Sequence, residues 1–565
     1  MELEVNVGAG FSRRAFLQAA LPASSALAFF STSFRRDSLI SAATSTKPQK
    51  VIVVGAGLAG LIAAFELMQS GHDVTLLEAR MRPGGRIHTM RDQFSDGLYA
   101  EAGAYDFTDA YVLLQRYIRL FNLPVQEGGA AERTVTANDV FYLQGKRYVV
   151  KAGTTPEWPY ELTAEERKLG IQGLWEKHVI AAGAKLRDPF AQDWPDLAAR
   201  SLDQVTVNQL LRKQGASQAV LSLLRMSFLG EDFEYVSGLQ DIIWNQFIEK
   251  GTNWRKLRGG NDQLPKAFAA RLGKRIHYGA AVTKLTQNKE NVRLAVSRAG
   301  TLEQVEADRV VLAIPFSVLR DIELDESFSP QKRQVISNLR YAPITRVYLQ
   351  SRSRFWLDQK LSGYANTDLP IRTVWDFTDT QPGMRAILGT ETSGPNAQLA
   401  GAMKPDERLR WALENVCKVF PEMAQNFDGG TSIVWEQEPW SKGAYAYFAP
   451  GEMTAFFPHV ATVEGRVHLQ GNTHPLSFSW KVRHNLACES PRRLMPRDES
   501  RAAQIGEKSR LHSLTGRVVR KRGNPETASG KLAGLVTGSR LVFTDEAALR
   551  QCRSGWMTRY RKLSG

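Results

Sequence analysis

The chain has 565 residues, of which 43% are hydrophobic and 23% charged, and its formal net charge is +15. This length predicts more than one domain with a substantial hydrophobic core and excludes a small disulfide-stabilised module. The three cysteines, Cys417, Cys488 and Cys552, have no zinc-site spacing and form no disulfide framework. Outside the N-terminus, no stretch is long and apolar enough to indicate an obvious membrane span.

The N-terminal residues predict an export signal. Arg13 and Arg14 are followed by Phe16 and Leu17 and then by a mildly apolar run. This pattern resembles a twin-arginine signal, a type that exports folded proteins. We therefore expect residues 1–45 to be a signal and linker, and the protein to be periplasmic or secreted. A disordered basic N-terminus on a cytoplasmic protein is the alternative.

The first predicted element of the fold is a strand at residues 51–54, whose four apolar, mostly β-branched residues are typical of a parallel sheet buried on both faces. Gly55, Gly57 and Gly60 follow as G-x-G-x-x-G, and residues 61–68 have helical composition. In a dinucleotide site, these glycines permit a tight turn, a close approach to the pyrophosphate and close helix–strand packing. The phosphates would lie at the helix N-terminus, where free N–H groups attract anions.

Residues 72–78 predict the second strand, and it ends in Glu78, 18 positions after Gly60. This spacing is close to the expected 20 or so, and it places Glu78 to accept hydrogen bonds from ribose hydroxyls rather than to face a 2′-phosphate. A G-x-G-x-x-G pattern alone is also consistent with a simple turn. The strand–turn–helix order favours the dinucleotide site.

Glu78 opens the run E-A-R-M-R-P-G-G-R, which ends at Arg86. This run resembles the E-A-x-x-x-x-G-G-R signature of the flavin-containing amine oxidase family, which includes monoamine, polyamine and L-amino-acid oxidases. A glycine pair followed by arginine fits a second backbone approach to the diphosphate beside a cation, although a turn with a solvated arginine is the alternative. The resemblance implies FAD binding by Glu78, Ala79, Arg80, Gly84, Gly85 and Arg86.

Residues 96–106, D-G-L-Y-A-E-A-G-A-Y-D, resemble the family segment that returns towards the flavin ring, which implies cofactor contacts for Gly103 and Ala104. In L-amino-acid oxidases, an arginine in this region binds the substrate carboxylate, but the aligned position here holds Asp106. This departure counts against an α-amino acid held in the same way. It is compatible with a cationic substrate group and equally with a structural N-cap.

Residues 125–250 predict a helical insertion, with helices at 164–176 and 206–223, that lines a substrate cavity or simply packs. Residues 258–268, R-G-G-N-D-Q-L-P-K-A-F, then resemble a family stretch that re-enters the flavin domain. Strands are predicted at 276–282, 292–296 and 307–315. The resemblance places Val282 over the adenine end through its backbone, and an ordinary strand residue is the alternative.

Three positions in the second half have family counterparts at the flavin. Many members have a lysine where Arg346 stands, and that lysine assists the reaction with oxygen. An arginine cannot act as a base there, but it can stabilise charge or form a structural ion pair. Tyr445 matches the tyrosine of an aromatic cage in front of the flavin, although a core aromatic is the alternative. Ala444 stands where some members attach FAD through a cysteine, so we expect non-covalent FAD.

The family's last signature is imperfect in this chain. Gly471 and Trp480 fit it, and Asn472 replaces the usual acid. The resemblance implies that Gly471 and Asn472 contact the cofactor and that Trp480 forms the second wall of the cage. Residues 485–493 are a degraded form of the flavin-binding helix, and Pro491 predicts that this helix is short.

The last part of the chain has a different composition. Residues 481–565 hold 19 Lys and Arg against 7 Asp and Glu, so a net +12 of the chain's +15 lies there. The segment is either a basic arm attracted to anionic surfaces or an altered reading frame. The second interpretation is favoured because the family resemblance ends within a few residues.

Together these patterns predict an α/β fold: a Rossmann-like, three-layer FAD-binding domain with a discontinuous α+β substrate domain. We expect the FAD domain at 46–125, 250–320 and 462–493, the substrate domain at 126–249 and 321–461, and an atypical basic tail at 494–565. Arg346, Tyr445 and Trp480 are the expected catalytic residues, with no metal site.

The resemblance implies an enzyme that oxidises a primary or secondary amine, or an amino acid, to an imine while O₂ is reduced to H₂O₂. The expected partners are the amine and O₂, without nucleic acid or a stable membrane span. A flavin-dependent C–C desaturase, or a flavin-binding protein inactivated by its altered C-terminal motif, is the alternative.

Overall fold

The structure, a computed structural model, describes residues 47–127, 138–151, 154, 156–189, 191, 194–227, 233–248 and 254–470. The predicted signal, Gly471, Asn472, Trp480, the helix at 485–493 and the tail lie outside these residues. The domain boundaries stay predictions.

The described strands are short and spread over the whole length of the structure. In chain order they are β1 (Lys50–Val54), β2 (Asp73–Leu77), β3 (Thr89–Met90), β4 (Ala100–Glu101), β5 (Phe107–Thr108), β6 (Val125–Glu127), β7 (Asn138–Leu143), β8 (Lys146–Val150), β9 (Trp254–Leu257), β10 (Ile276–His277), β11 (Ala280–Gln287), β12 (Val292–Arg298), β13 (Thr301–Ala307), β14 (Arg309–Leu312), β15 (Glu323–Leu324), β16 (Arg340–Tyr341), β17 (Ile344–Ser351), β18 (Leu361–Thr367), β19 (Thr373–Asp376), β20 (Ala386–Ser393), β21 (Phe427–Val434), β22 (Ala446–Tyr447) and β23 (Val467–Leu469).

The α-helices alternate with these strands. In chain order they are α1 (Leu58–Gln69), α2 (Val112–Leu120), α3 (Ala164–Trp175), α4 (Leu197–Asp203), α5 (Val207–Lys213), α6 (Gln218–Ser227), α7 (Gly238–Ile243), α8 (Gln263–Leu272), α9 (Phe316–Leu319), α10 (Pro330–Asn338), α11 (Phe355–Asp358), α12 (Gly394–Ala402), α13 (Pro405–Val419), α14 (Met423–Asn426) and α15 (Glu452–Val460). Short π-helical turns at Glu176–Ile180 and Trp244–Ile248 extend α3 and α7.

A parallel sheet lies at the centre of the first half of the fold. Within the described residues it has five strands in the order β10-β2-β1-β14-β23. Val51 and Val53 pack with α1 and α8 on one face, whereas Ile52 and Val54 pack with the sheet of β11, β12 and β13 on the other. The alternation follows from the two-residue period of a strand. It produces the three layers that were predicted, so the Rossmann-like class is confirmed.

A second, larger sheet belongs to the other half of the molecule. In the part of the chain that the structure describes, it has seven strands in the order β21-β17-β20-β19-β18-β7-β8. Helix α13 covers one face through an apolar core that contains Val347, Leu388 and Val416. The helices from α3 to α6 form a further core with Phe141 of β7. This mixed sheet with helices agrees with the predicted α+β substrate half.

The strand predicted at 307–315 is shorter in the structure, where β14 spans Arg309–Leu312. Three other predicted elements are interrupted or bent, each at a glycine. The strand expected at 276–282 is two strands in two sheets, because Gly279 has a φ of +65° and turns the chain. The helix expected at 206–223 is split into α5 and α6 around Gly215, whose φ is +79°. Helix α3 bends at Gly170, with a φ of +62°. Each of these conformations is accessible to glycine at little steric cost.

Candidate functional site

A cavity of about 620 Å³ opens at the carboxyl ends of three strands of the parallel sheet. Val54, Leu77 and Ala313, at or just after the ends of β1, β2 and β14, contribute to its wall. The carboxyl edge of a parallel sheet is the usual place for a ligand in open α/β folds. The volume is within the range of small-molecule and cofactor sites.

The first glycine turn shapes one side of this cavity. A Cβ on Gly55, whose φ is +101°, would lie 2.9 Å from the carbonyl oxygen of Ala313, and one on Gly60 would lie 1.9 Å from that of Gly55. A Cβ on Gly57 would meet nothing within 4 Å. Gly55 and Gly60 are therefore required by packing. Gly57 instead borders the cavity and leaves space for a close approach to the backbone.

Helix α1 begins at this turn and offers its N-terminal amides to the cavity wall. Gly57 is the N-cap, and Leu58 and Ala59, the first helical residues, both line the cavity. The first N–H groups of a helix have no acceptor within the helix, and the helix dipole adds positive potential there. This end of the cavity is therefore suited to phosphate oxygens.

Glu78 lies at the end of β2 and is only 4% exposed. Its two carboxylate oxygens accept the backbone N–H groups of Ala56 at 2.6 Å and Arg80 at 2.8 Å. Burial raises the pKa of Glu78 above its ordinary value, although both backbone hydrogen bonds oppose that shift. Each oxygen retains a lone pair for a further donor such as a ribose hydroxyl.

The second glycine turn lies directly against the first. Gly84 donates its N–H to the carbonyl oxygen of Ala56 at 2.8 Å, and a Cβ on Gly85 would lie 3.3 Å from the Cα of Gly57. Gly84 and Gly85 have φ values of +104° and +58°. Because both turns border one cavity, the structure brings together the two motifs that the sequence placed at the diphosphate.

Arg86 follows the second turn and lines the cavity. Burial lowers the pKa of its guanidinium below the ordinary value. Among the described residues, no acceptor hydrogen-bonds to this guanidinium. A partly buried cation without a protein acceptor is suited to an anionic ligand. Together with the N-terminal amides of α1, Arg86 therefore fits a diphosphate.

Gly103 and Ala104 have different positions relative to the cavity. A Cβ on Gly103 would lie 1.8 Å from the carbonyl oxygen of Arg86, so Gly103 permits the close backbone contact that supports Arg86. Ala104 lines the cavity, as do Ala79 and the buried Val282 of β11. Gly60 and Gly103 therefore act through packing, whereas Ala79, Ala104 and Val282 border the ligand space.

Tyr445 reaches the cavity from the second half of the chain, and Asp106 from the segment after Ala104. Tyr445 has a φ of +35°, a conformation that a bulky residue seldom adopts. Strain of this kind is concentrated at functional sites. The predicted aromatic residue is thus at the candidate site.

Arg80, a predicted cofactor residue, forms hydrogen bonds with other residues of the protein. The guanidinium of Arg80 contacts Glu438, Trp440 and Ser441, although Arg80 also lines the cavity.

Arg346, on β17, lies 2.5 Å from Glu391 and donates to the carbonyl oxygens of Glu101 and Gly103. Burial acts against its charge, but Glu391 and Tyr348 hold its pKa above the ordinary value. Arg346 is not among the described residues of the cavity wall. This geometry favours a structural ion pair, and its catalytic role stays a prediction.

Several cavity residues were not predicted from the sequence. Trp440 and Ser441 line the wall just before Tyr445, and Asn261 lines it from the R-G-G-N-D-Q-L-P stretch. The amide of Asn261 donates to the carbonyl oxygens of Ala104 and Tyr105, which fixes the backbone beside the cavity. Both stretches were recognised as motifs, but motif membership does not reveal which side chain faces a ligand.

The described residues contain no group of His, Cys, Asp and Glu side chains that could hold a metal ion. The same part of the chain contains no helix of the length and hydropathy needed to cross a bilayer. The cofactor roles predicted for Gly471 and Asn472, and the cage role predicted for Trp480, lie outside the described residues.

Comparison with known sequences supports the motif assignments. A family model described as flavin containing amine oxidoreductase matches residues 58–478. A candidate L-amino-acid oxidase of Bacillus subtilis (strain 168), YobN, is 30% identical over an alignment of 454 residues that covers 77% of this chain and 92% of the relative. The L-amino-acid oxidase of Mus musculus is 27% identical and covers 77% of this chain and 69% of its own length.

Solved structures with the same fold include amine oxidases. Putrescine oxidase bound to putrescine superposes with a TM-score of 0.65 at 22% identity, covering 78% of this chain and 98% of the other. Cyclohexylamine oxidase from Brevibacterium oxydans IH-35A also gives a TM-score of 0.65 at 22% identity, covering 82% and 99%. At this identity, the similarity establishes the fold.

Proposed function

Because the chain belongs to the flavin-containing amine oxidoreductase family, we propose that it is an FAD-dependent enzyme that oxidises a primary or secondary amine, or an amino acid, to an imine. One observation carries this proposal. Both glycine turns, Glu78 and Arg86 border a single cavity, and Tyr445 lines the same cavity from the other half of the molecule.

The flavin, when bound, would accept a hydride from the carbon that bears the amine and would pass the two electrons to O₂ to give H₂O₂. Water would hydrolyse the imine. The protein's own part is to bind and orient. Arg86 and the N-terminal amides of α1 neutralise the diphosphate, and Glu78 accepts ribose hydroxyls. Tyr445 provides an apolar wall that excludes water and attracts an amine through its ring face.

We propose that FAD is bound without a covalent link. Ala444 stands immediately before Tyr445, where some family members have the cysteine that attaches the cofactor. An alanine methyl group offers no nucleophile for such a bond. Denaturation should therefore release the flavin into solution.

Both amines and amino acids are candidate substrates. The relatives by sequence include L-amino-acid oxidases, and the solved structures with the same fold include amine oxidases. The carboxylate of Asp106 favours an amine substrate that has no α-carboxylate. Among the described residues of the cavity wall, Glu78 and Asp106 are the two carboxylates. A carboxylate at Asp106 would attract a cationic group and repel a substrate carboxylate.

The proposal is tested by purifying the protein, recording its absorbance spectrum, and assaying peroxide with a panel of amines and L-amino acids. We expect a flavin spectrum and peroxide formation with at least one amine. A flavin spectrum without peroxide or substrate reduction across the panel would favour the inactive alternative. A folded protein without flavin would contradict the whole assignment.

We also propose export through a twin-arginine signal, on the strength of Arg13 and Arg14 before an apolar run. Replacing both residues with lysine should keep the protein in the cytoplasm, because the arginine pair is what the export machinery recognises. Cell fractionation of the parent and of the Arg13→Lys/Arg14→Lys variant measures this. Equal periplasmic delivery of the two proteins would contradict the proposal.

A further inference from the structure

Residues 435–445, which we name the closing segment, form one wall of the cavity. Trp440, Ser441 and Tyr445 of this segment line the cavity, and Ser441 is only 1% exposed. At its start, the indole N–H of Trp435 donates to the carbonyl oxygen of Ala102 at 2.9 Å. The closing segment therefore lies beside the proposed dinucleotide site, although it is more than 350 positions away along the chain.

Arg80, in the run E-A-R-M-R-P-G-G-R, contacts the closing segment through its guanidinium. Its guanidinium lies 3.1 Å from the Glu438 carboxylate and donates to the Ser441 hydroxyl at 3.0 Å and the Trp440 carbonyl at 3.4 Å. The Arg80 side chain is 11% exposed and that of Glu438 is 33% exposed. A planar guanidinium with several donors is suited to such a multiple contact.

The backbone of Arg80 connects these contacts to the dinucleotide site. Its N–H donates to Glu78, and the other oxygen of Glu78 accepts the N–H of Ala56 in the first glycine turn. A short chain of hydrogen bonds therefore runs from the glycine turn through Glu78 and Arg80 to Glu438.

The closing segment has a conformation that needs external support. Lys442 and Tyr445 have φ values of +49° and +35°, and Gly443 has a φ of +118°. Non-glycine residues at positive φ persist only when surrounding contacts impose the conformation. Ser317 and Asp321 contact Ser441 and Lys442 from one side, and Arg80 holds Glu438, Trp440 and Ser441 from the nucleotide side.

We propose that Arg80, Glu438 and Ser441 form a latch that holds the closing segment over the bound dinucleotide and thereby positions Tyr445. Arg80 is then a positioning residue, and FAD leaves the cavity only when the latch opens. This inference rests on the proposed function, because it takes FAD as the ligand.

The rate of FAD dissociation from the holoenzyme tests the latch. Flavin fluorescence rises as FAD leaves, and a large dilution of the holoenzyme makes rebinding negligible. Arg80→Ala should release FAD about tenfold faster, the factor that corresponds to one lost charge-assisted hydrogen bond. Arg80→Lys keeps the ion pair but loses the planar donors, so it should be intermediate.

Glu438→Gln separates a latch from a direct contact between Arg80 and FAD. The latch predicts faster release in this variant, by a smaller factor than in Arg80→Ala because the Ser441 contact remains. The control is Arg293→Ala, which breaks the 2.7 Å ion pair with Glu306 away from the cavity wall, and its release rate should be that of the parent. Parental release from Arg80→Ala would overturn the proposal. Faster release from Arg80→Ala with parental release from Glu438→Gln would do so as well, because Arg80 would then bind FAD directly.

Trypsin cleavage after Lys442 gives a readout that does not need flavin. Lys442 is exposed within the closing segment, and peptide mass spectrometry resolves this cut from others. Arg80→Ala and Glu438→Gln should both be cleaved there faster than the parent, and added FAD should slow the cleavage. If the parent binds no flavin, the proposed function fails, but the comparison of variants still tests the latch. Equal cleavage rates in the parent and both variants would overturn it. If Arg80→Ala does not fold, Glu438→Gln decides both measurements.

Discussion

The Oε2 atom of Glu78 lies 2.6 Å from the amide nitrogen of Ala56, in the middle of the first glycine turn. This hydrogen bond joins the carboxyl ends of β1 and β2 at the point where the cavity opens. Glu78 therefore holds the glycine turn in place and also presents a carboxylate to the cavity. A change in the turn should affect cofactor binding even where the fold survives.

Two alanine substitutions in the glycine turn distinguish binding from packing. Gly57→Ala should leave the melting temperature of the apoprotein unchanged, because its Cβ would meet no atom within 4 Å, but the methyl group would lower FAD affinity by about tenfold or more. Gly60→Ala should destabilise the fold by roughly 1–3 kcal/mol or more, because its Cβ would lie 1.9 Å from the Gly55 oxygen. Thermal denaturation and FAD titration measure both. Parental FAD affinity in Gly57→Ala would place the diphosphate elsewhere.

The aromatic residues tested next are Tyr445 and Trp480. Tyr445→Ala should slow flavin reduction at saturating amine by roughly ten- to a hundredfold, because small misplacements of a substrate are costly in rate. Tyr445→Phe should be mild because the ring remains. Trp480→Ala should also slow reduction while FAD stays bound. Anaerobic stopped-flow bleaching measures all three, and a parental rate in either alanine variant would make that residue core packing.

The carboxylate of Asp106 should favour amines over L-amino acids as substrates. If it attracts the substrate ammonium group, Asp106→Asn should lower kcat/KM for amines by about tenfold, the value of one charge-assisted contact. The same change should improve the relative kcat/KM for L-amino acids, because it removes a charge that repels their carboxylate. Peroxide assays with matched amine and amino-acid pairs measure the ratio. An unchanged ratio would indicate that Asp106 has a structural role.

The raised pKa of Glu101 should make the stability of the fold depend on pH. Its carboxylate is 5% exposed and accepts hydrogen bonds from Asn261 and Thr89, and burial raises its pKa from 4.5 to about 7. A raised pKa means that its stabilising contribution is fully present below about pH 4.5 and is lost as the pH rises through about 7. The free energy of unfolding of the parent should therefore fall between pH 5 and pH 8 more than that of Glu101→Gln, by up to about 3 kcal/mol. Urea denaturation at several pH values measures this, and parallel pH profiles would contradict it.

The sequence was most informative where the structure depends on local order. Gly55, Gly57 and Glu78 lie within 24 positions, and the strand–turn–helix arrangement that contains them needs only steric and hydrogen-bonding rules. Val282 and Tyr445 were placed at the cavity through family motifs, and the structure brings both to its wall. Their roles towards substrate and cofactor stay predictions.

Side-chain direction could not be obtained in this way. Arg80 belongs to the nucleotide-binding run, but its guanidinium contacts Glu438, which is 358 positions away. The ion pair of Arg346 with Glu391 is likewise set by the register of β17 against β20. Pairings at such separations depend on sheet order, which a motif does not specify.

The most direct test of the account is an anaerobic titration of the purified protein with an amine, followed by denaturation. A flavin absorbance band should bleach when the amine is added and return when air is admitted, and peroxide should form. The flavin should also stay in the supernatant when the protein is precipitated. A folded protein with no flavin band would contradict the central claim. Flavin that remains with the precipitate would contradict non-covalent binding.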